Sequence, residues 1–111
     1  MKEYTIDAVT THFNRAEKEI NSDKFIKSKR LRSCQAMVYE TENYIVLRSY
    51  RTFIALIVKN ENVCFDVLRT VYGYTSTSNQ HICKFKKDYS QYFSSLYKYA
   101  WNGALYKLEV F

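Results

Sequence analysis

Two histidines and three cysteines are the side chains best equipped to hold a metal ion or attack a substrate: His12, His81, Cys34, Cys64 and Cys83. Of these, only His81 and Cys83 are close in sequence, and residues two apart on a helix point to different sides. No CxxC or HxxxH pair occurs, so the spacing points away from a metal site and no cofactor is expected. A nucleophile needs a base and an orienting group beside it. Cys83 or Ser78 can be paired with His81 on paper, but no recognised local signature surrounds either. The plainer reading is a helix whose first turn is rich in Ser, Thr and Asn because it must be capped. A metal-dependent RNase would need several carboxylates to converge. Asp66, Glu40, Glu42 and Glu61 are the candidates, but only 11 acids are present and most have ordinary solvated explanations. With two glycines in the chain there is no phosphate-cradling loop. No catalytic residue and no enzymatic activity is therefore expected.

The cations carry more signal. The stretch Lys24 to Arg32 holds Lys24, Lys27, Lys29, Arg30 and Arg32 and no acid. Phe25, Ile26 and Leu31 are expected to anchor it while the charges face water. Lys84, Lys86 and Lys87 form a second cluster, and Arg48, Arg51 and Arg69 lie between. With a formal net charge of +6 from 17 basic and 11 acidic residues, the chain favours acidic partners, either nucleic acid or an acidic protein face. Tyr72 and Tyr74, near Arg69, are candidate stacking platforms for single strands. The plainer alternative makes these lysines solvated faces and these tyrosines core.

Several elements must position those groups. Val9, Phe13, Ala16 and Ile20 recur at helical spacing, predicting a helix over 5–21 that stops at Asn21-Ser22-Asp23. Runs rich in Val, Ile, Tyr, Phe and Thr predict strands near 34–40, 43–50, 52–59, 62–67 and 70–74. The all-apolar run Ile54 to Val58 suits a central strand covered on both faces, whereas the half-alternating Tyr44 to Tyr50 suits one more exposed face. Short breaks at Thr41-Glu42-Asn43 and Asn60-Glu61-Asn62 favour an antiparallel meander. Thr77 with Gln80 fits a capping box, with Ser76 or Ser78 as alternative caps. Ile82, Phe85 and Tyr89 mark the apolar face of the helix that follows, largely clear of its lysines. A further helical stretch is expected over Tyr92 to Tyr99, and a last strand over Ala104 to Phe111. The expected fold class is α+β: a small antiparallel sheet meander with an N-terminal helix and one or two C-terminal helices packed on it.

At 111 residues, with 47% hydrophobic and 25% charged side chains, the chain is expected to form one domain over residues 1–111 around one core. Three cysteines cannot all pair, which suggests buried thiols in a reducing compartment. The start, Met1-Lys2-Glu3-Tyr4, has no apolar leader region, and no run approaches a membrane span. A cytoplasmic protein without membrane contact is the expectation.

Two segments carry a family likeness: Ser49-Tyr50-Arg51-Thr52-Phe53-Ile54-Ala55, then Tyr72-Gly73-Tyr74-Thr75-Ser76-Thr77-Ser78-Asn79-Gln80-His81-Ile82 with Phe85. They resemble short proteins carried by phages and plasmids of Gram-positive bacteria, with the pattern S-Y-x-T-x-[IV]-A followed by Y-[SG]-x-T-[ST]-x-x-H-[IQ]-x-x-F. In size and mobile-element character the chain is also similar to type II-A anti-CRISPR proteins, some of which block the Cas9 nuclease or its guide-RNA loading. The resemblance implies a non-enzymatic counter-defence protein in the cytoplasm of a bacterial host, with Cas9 or its guide RNA as partner. It transfers no catalytic residue. Lys24, Lys27, Lys29, Arg30, Arg32, Lys84, Lys86 and Lys87 are the expected contact surface. A small nucleic-acid-binding accessory protein is the alternative, and an RNase a more distant one. The motif itself is expected to do structural work: Ser-Tyr-x-Thr turns one strand into the next, the Thr/Ser-rich segment ends the sheet and caps the helix, and His81 hydrogen-bonds back to that turn.

Overall fold

The computed structural model describes residues 6–31, 36–67, 76–99 and 105–109. Side chains are described throughout these spans except at 6, 76–79, 99 and 105–109. Helix α1 (Ile6–Ile20) leads into strands β1 (Phe25–Arg30), β2 (Ala36–Thr41), β3 (Tyr44–Ser49), β4 (Thr52–Val58) and β5 (Val63–Asp66). Helix α2 (Ser76–Asp88) and a short 3-10 turn, Ser90–Tyr92, follow, then β6 (Ser95–Tyr99) and β7 (Leu105–Glu109). The strands form one seven-stranded sheet in chain order, and every pairing is antiparallel except β5 with β6. The parallel step is where α2 intervenes, as a parallel neighbour needs a crossover. The expected α+β fold, a meander with an N-terminal and a C-terminal helix, is the observed one.

The two helices cover opposite faces. On one, Val9 and Ala16 of α1 pack with Tyr44, Val46, Leu56, Val63, Phe65 and Tyr97, flanked by Phe13 and Ile20. On the other, Ile82 and Phe85 of α2 pack with Ile45, Leu47, Ile57, Cys64 and Leu96, with Tyr89 against them. Alternation along each strand sends successive side chains to opposite covers, so β4 is buried from Ile54 to Val58, as its apolar run predicts. Strand β3 departs from expectation: Tyr44, Ile45, Val46 and Leu47 are all buried, because it too lies between both helices.

Local signals explain most boundaries. At the end of α1, Asn21 Nδ2 donates to the Glu17 carbonyl (3.1 Å) and Ser22 Oγ to that of Glu19 (3.0 Å), satisfying terminal acceptors. Tyr50 and Arg51 form the two-residue loop between the paired Ser49 and Thr52, as the Ser-Tyr-x-Thr segment leads one to expect. Tyr50 takes a left-handed φ of 57° there; Asn62, in the β4–β5 turn, takes 55° at less cost.

Four expectations are corrected. Tyr92 to Tyr99 is not a helix: it holds the end of the 3-10 turn and strand β6. Leu96 and Tyr97 go to opposite cores, the period of a strand and not of a helix. Thr77 lies inside the first turn of α2, not ahead of it. The segment from Lys24 is a strand, and Phe25 and Ile26 do not anchor it: they are 38% and 55% exposed. Its hold is the backbone ladder to β2, with Leu31 alone packing on a core. Finally, Cys64 is buried but Cys83 is exposed, since Cys83 follows Ile82 around the helix onto its outer face. The strand expected near 70–74, with Tyr72, Tyr74 and Arg69, and the residues Arg32 and Cys34 lie outside the described residues.

Glu19 fastens α1 to the β2–β3 turn. It accepts from Thr41 Oγ1 (2.8 Å), Asn43 Nδ2 (2.9 Å) and the Asn43 backbone N–H (3.3 Å). Burial alone would raise its pKa; the bonds from Asn43 and Thr41, aided by Lys24, outweigh that and hold it below the usual glutamate value. A depressed carboxylate adds stability above its unfolded pKa, and that share is lost as pH falls through the folded one. Glu19→Gln is therefore expected to cost about 1–2 kcal/mol at pH 7. The loss should shrink as pH falls below the ordinary glutamate value and through the lowered folded one, beneath which both proteins are neutral at this position. Urea titrations of both proteins between pH 3 and 7 check this.

Candidate functional site

Strand β1 is the end strand of the sheet among the described residues, and all six of its residues are exposed. Its register places its cations. Lys27 lies opposite Glu40 and Lys29 opposite Val38. Val38 belongs to the core under α2, so both lysines lean to that side of the sheet, since paired residues share a face. Arg30 lies opposite Met37, which pairs with Arg48, and leans to the α1 side. A register irregularity between Phe25 and Lys27 leaves Ile26 unpaired. The edge thus carries Lys24 at its root, cations on both faces, and two exposed apolar side chains.

The charges of this edge are mostly uncommitted. Lys27 Nζ is 3.9 Å from Glu40 Oε1, but Glu40 is held more closely by Lys59 at 2.8 Å. Lys29 and Arg30 have no ion-pair partner among the described residues. The second cluster differs. Lys84 is bonded to Asp88 one turn on at 2.9 Å, and Lys86 faces the buried Asp66 at 3.8 Å. Lys87 is exposed. The structure therefore separates the two expected clusters in kind: β1 presents free charge, while α2 spends two of its three lysines internally.

A feature that sequence reasoning left scattered lies next to β1. The Arg48 guanidinium carbon is 5.1 Å from the centroid of the Tyr39 ring, a cation–π distance. Phe53 meets the same ring edge-on at 6.3 Å. Arg48 Nε is buried with no hydrogen-bond partner among the described residues. The available signal was the strand register, which brings Arg30, Met37, Arg48 and Phe53 into one row.

Several of the groups weighed for metal binding or catalysis have structural partners. His81 Nδ1 lies 2.9 Å from Ser49 Oγ, with both residues buried, joining α2 to the β3–β4 turn as the motif suggests. Ser49→Ala is expected to cost about 1–3 kcal/mol by leaving this buried nitrogen short of a partner, measurable as a lowered urea midpoint with an unchanged slope. His12 sits between the Tyr44 hydroxyl (2.9 Å from Nδ1) and Glu61 (3.6 Å from Nε2), with its ring stacked on Phe65. Burial pushes the Tyr44 phenol up, against the opposing pull of Arg15, which makes it a poorer nucleophile at neutral pH. Burial likewise pushes the Cys64 thiol up, and Asp66 adds to the effect, so it stays protonated. Among the described residues, no three His, Cys, Asp or Glu side chains converge on a possible metal position. None of their helices is long and apolar enough to cross a membrane. No protein-family model matches the chain, and neither curated proteins nor solved structures give a match.

Proposed function

We propose that this chain is a non-enzymatic binding protein, a phage- or plasmid-borne inhibitor of a Cas9-type nuclease that acts in the host cytoplasm. Its working surface is the β1 edge, with Lys24, Lys27, Lys29 and Arg30. The observation that carries this reading is that β1 is exposed along its whole length while its cations remain largely unpaired. A positively charged patch of this kind steers an acidic partner and selects against basic ones. The target itself comes from the resemblance of the Ser49-to-Phe85 motif to mobile-element proteins. A protein that mimicked DNA in a nuclease channel would carry negative charge. A net charge of +6 instead suits contact with guide RNA or with an acidic protein face.

The test is binding to purified Cas9, alone and loaded with guide RNA, paired with a DNA-cleavage assay. Complex formation with loss of cleavage supports the proposal; no binding in either form removes it. The stacked Arg48 and Tyr39 beside Arg30 favour a second reading, direct binding of single-stranded RNA. Engagement of phosphates by the four β1-edge cations would give a slope of log affinity against log salt of roughly −3. A flat salt response with free RNA would remove that reading.

A further inference from the structure

We infer that β1 recognises its partner by strand addition: an extended acidic segment of another protein docks along the edge as an eighth strand. This rests on the reading of β1 as the contact surface and specifies how it works. The Leu31 N–H bonds to the Ala36 carbonyl at 2.9 Å, which fixes the phase of the ladder. Bonded pairs alternate along antiparallel strands, so Lys29 opposite Val38 and Lys27 opposite Glu40 turn their backbone groups inward. Ser28 and Arg30 then turn their N–H and C=O groups outward, away from β2. These are the groups an added strand uses for affinity, while alternate side chains set specificity.

The side chains state the occupant's chemistry. Lys27 and Lys29 stand on one face, so a strand with acids at alternate positions, which share a face, sets an acid beside each of these two lysines. Phe25 and Ile26, exposed at the start of the strand, offer apolar contact to the residues between those acids. A second copy of this chain does not fit. Antiparallel self-pairing about Ser28 would set Lys27 against Lys29, and like charges directly opposite are destabilising. Phosphate chains would use the cations but leave the outward amides and the apolar pair without partners.

The probe is a peptide of about ten residues alternating Glu and Val, long enough to cover one strand, with a Lys–Val peptide as control. On saturation with the Glu–Val peptide, amide exchange at Ser28 and Arg30 should slow by about tenfold or more, with Lys27 and Lys29 changing little. Ser28→Pro removes one outward N–H without touching the ladder to β2, a position where an edge strand accepts proline. It should abolish peptide binding. Lys29→Glu with Arg30→Glu should weaken it by about tenfold or more. Unchanged exchange at Ser28 and Arg30 under saturating peptide, or equal binding of the Lys–Val peptide, overturns the inference, and the exchange readout holds whether or not the proline variant folds. Against Cas9 the two ideas separate. If Ser28→Pro still binds the nuclease while the charge reversal does not, strand addition is wrong and the surface stands. If the charge reversal still binds, the surface reading itself fails.

Discussion

Phe65→Ala is expected to lower the stability of the fold by about 3–5 kcal/mol, the range for removing a fully buried aromatic ring. Phe65 is completely buried in the core under α1. Its ring stacks on His12 of α1, with centroids 6.2 Å apart, and tilts against Tyr97 of β6 at 5.9 Å. It therefore joins the first helix to the parallel step of the sheet, and its loss leaves a gap that three elements would have to close. A chain of this length has a total stability of about 5–15 kcal/mol, so the variant should lie near the edge of folding. Thermal unfolding followed by circular dichroism should show the midpoint fall by roughly 15 °C or more. Phe25→Ala is the control, because an exposed ring on the edge strand should change stability by less than about 0.5 kcal/mol. Equal effects at the two positions would contradict the division into buried sheet and open edge.

Reversing Lys29 and Arg30 to Glu is expected to weaken partner binding by about a hundredfold while leaving the fold intact. The two positions are chosen because neither has an ion-pair partner among the described residues, so the folded chain loses no attraction. Each reversal both removes an attraction and adds a repulsion against an acidic partner, and about 2–3 kcal/mol across the pair corresponds to that factor. Most of the change should appear in the association rate and be relieved by salt. Lys84→Glu with Lys87→Glu gives the contrast. Lys84 is already committed to Asp88, and reversal there should disturb binding by less than about tenfold. A larger loss on α2 than on β1 would move the working surface to the helix.

The elements that follow from pairwise local chemistry were legible in the sequence. The stripe Val9, Phe13, Ala16, Ile20 gave α1, the unbroken run from Ile54 gave the buried β4, and Ser49 with Thr52 gave the tight turn. That His81 bonds back to a turn was also legible, but not that its partner is Ser49. What escaped depends on distant partners. Tyr92 to Tyr99 has no period of its own strong enough to exclude a helix, and it becomes β6 because the edge of β5 is there to receive it. Phe25 and Ile26 look like anchors in sequence, yet a strand at the margin of a sheet has no layer above it to enter. The cation row with Arg48 and Tyr39 needed the register of three strands to appear. The two lysine clusters look alike in sequence, and only the positions of Asp88 and Asp66 show that two of the three lysines on α2 are already paired.

The central claim, that the protein acts by occupying a partner through β1 and not by chemistry, is tested most directly by titrating it into a Cas9 cleavage reaction with guide RNA present. Cleavage is expected to fall in proportion to added protein, to reach its floor near equimolar amounts, and to recover with Lys29→Glu/Arg30→Glu at the same ratio. Loss of activity at far below equimolar protein, progressing with time and accompanied by shortened RNA, would contradict it.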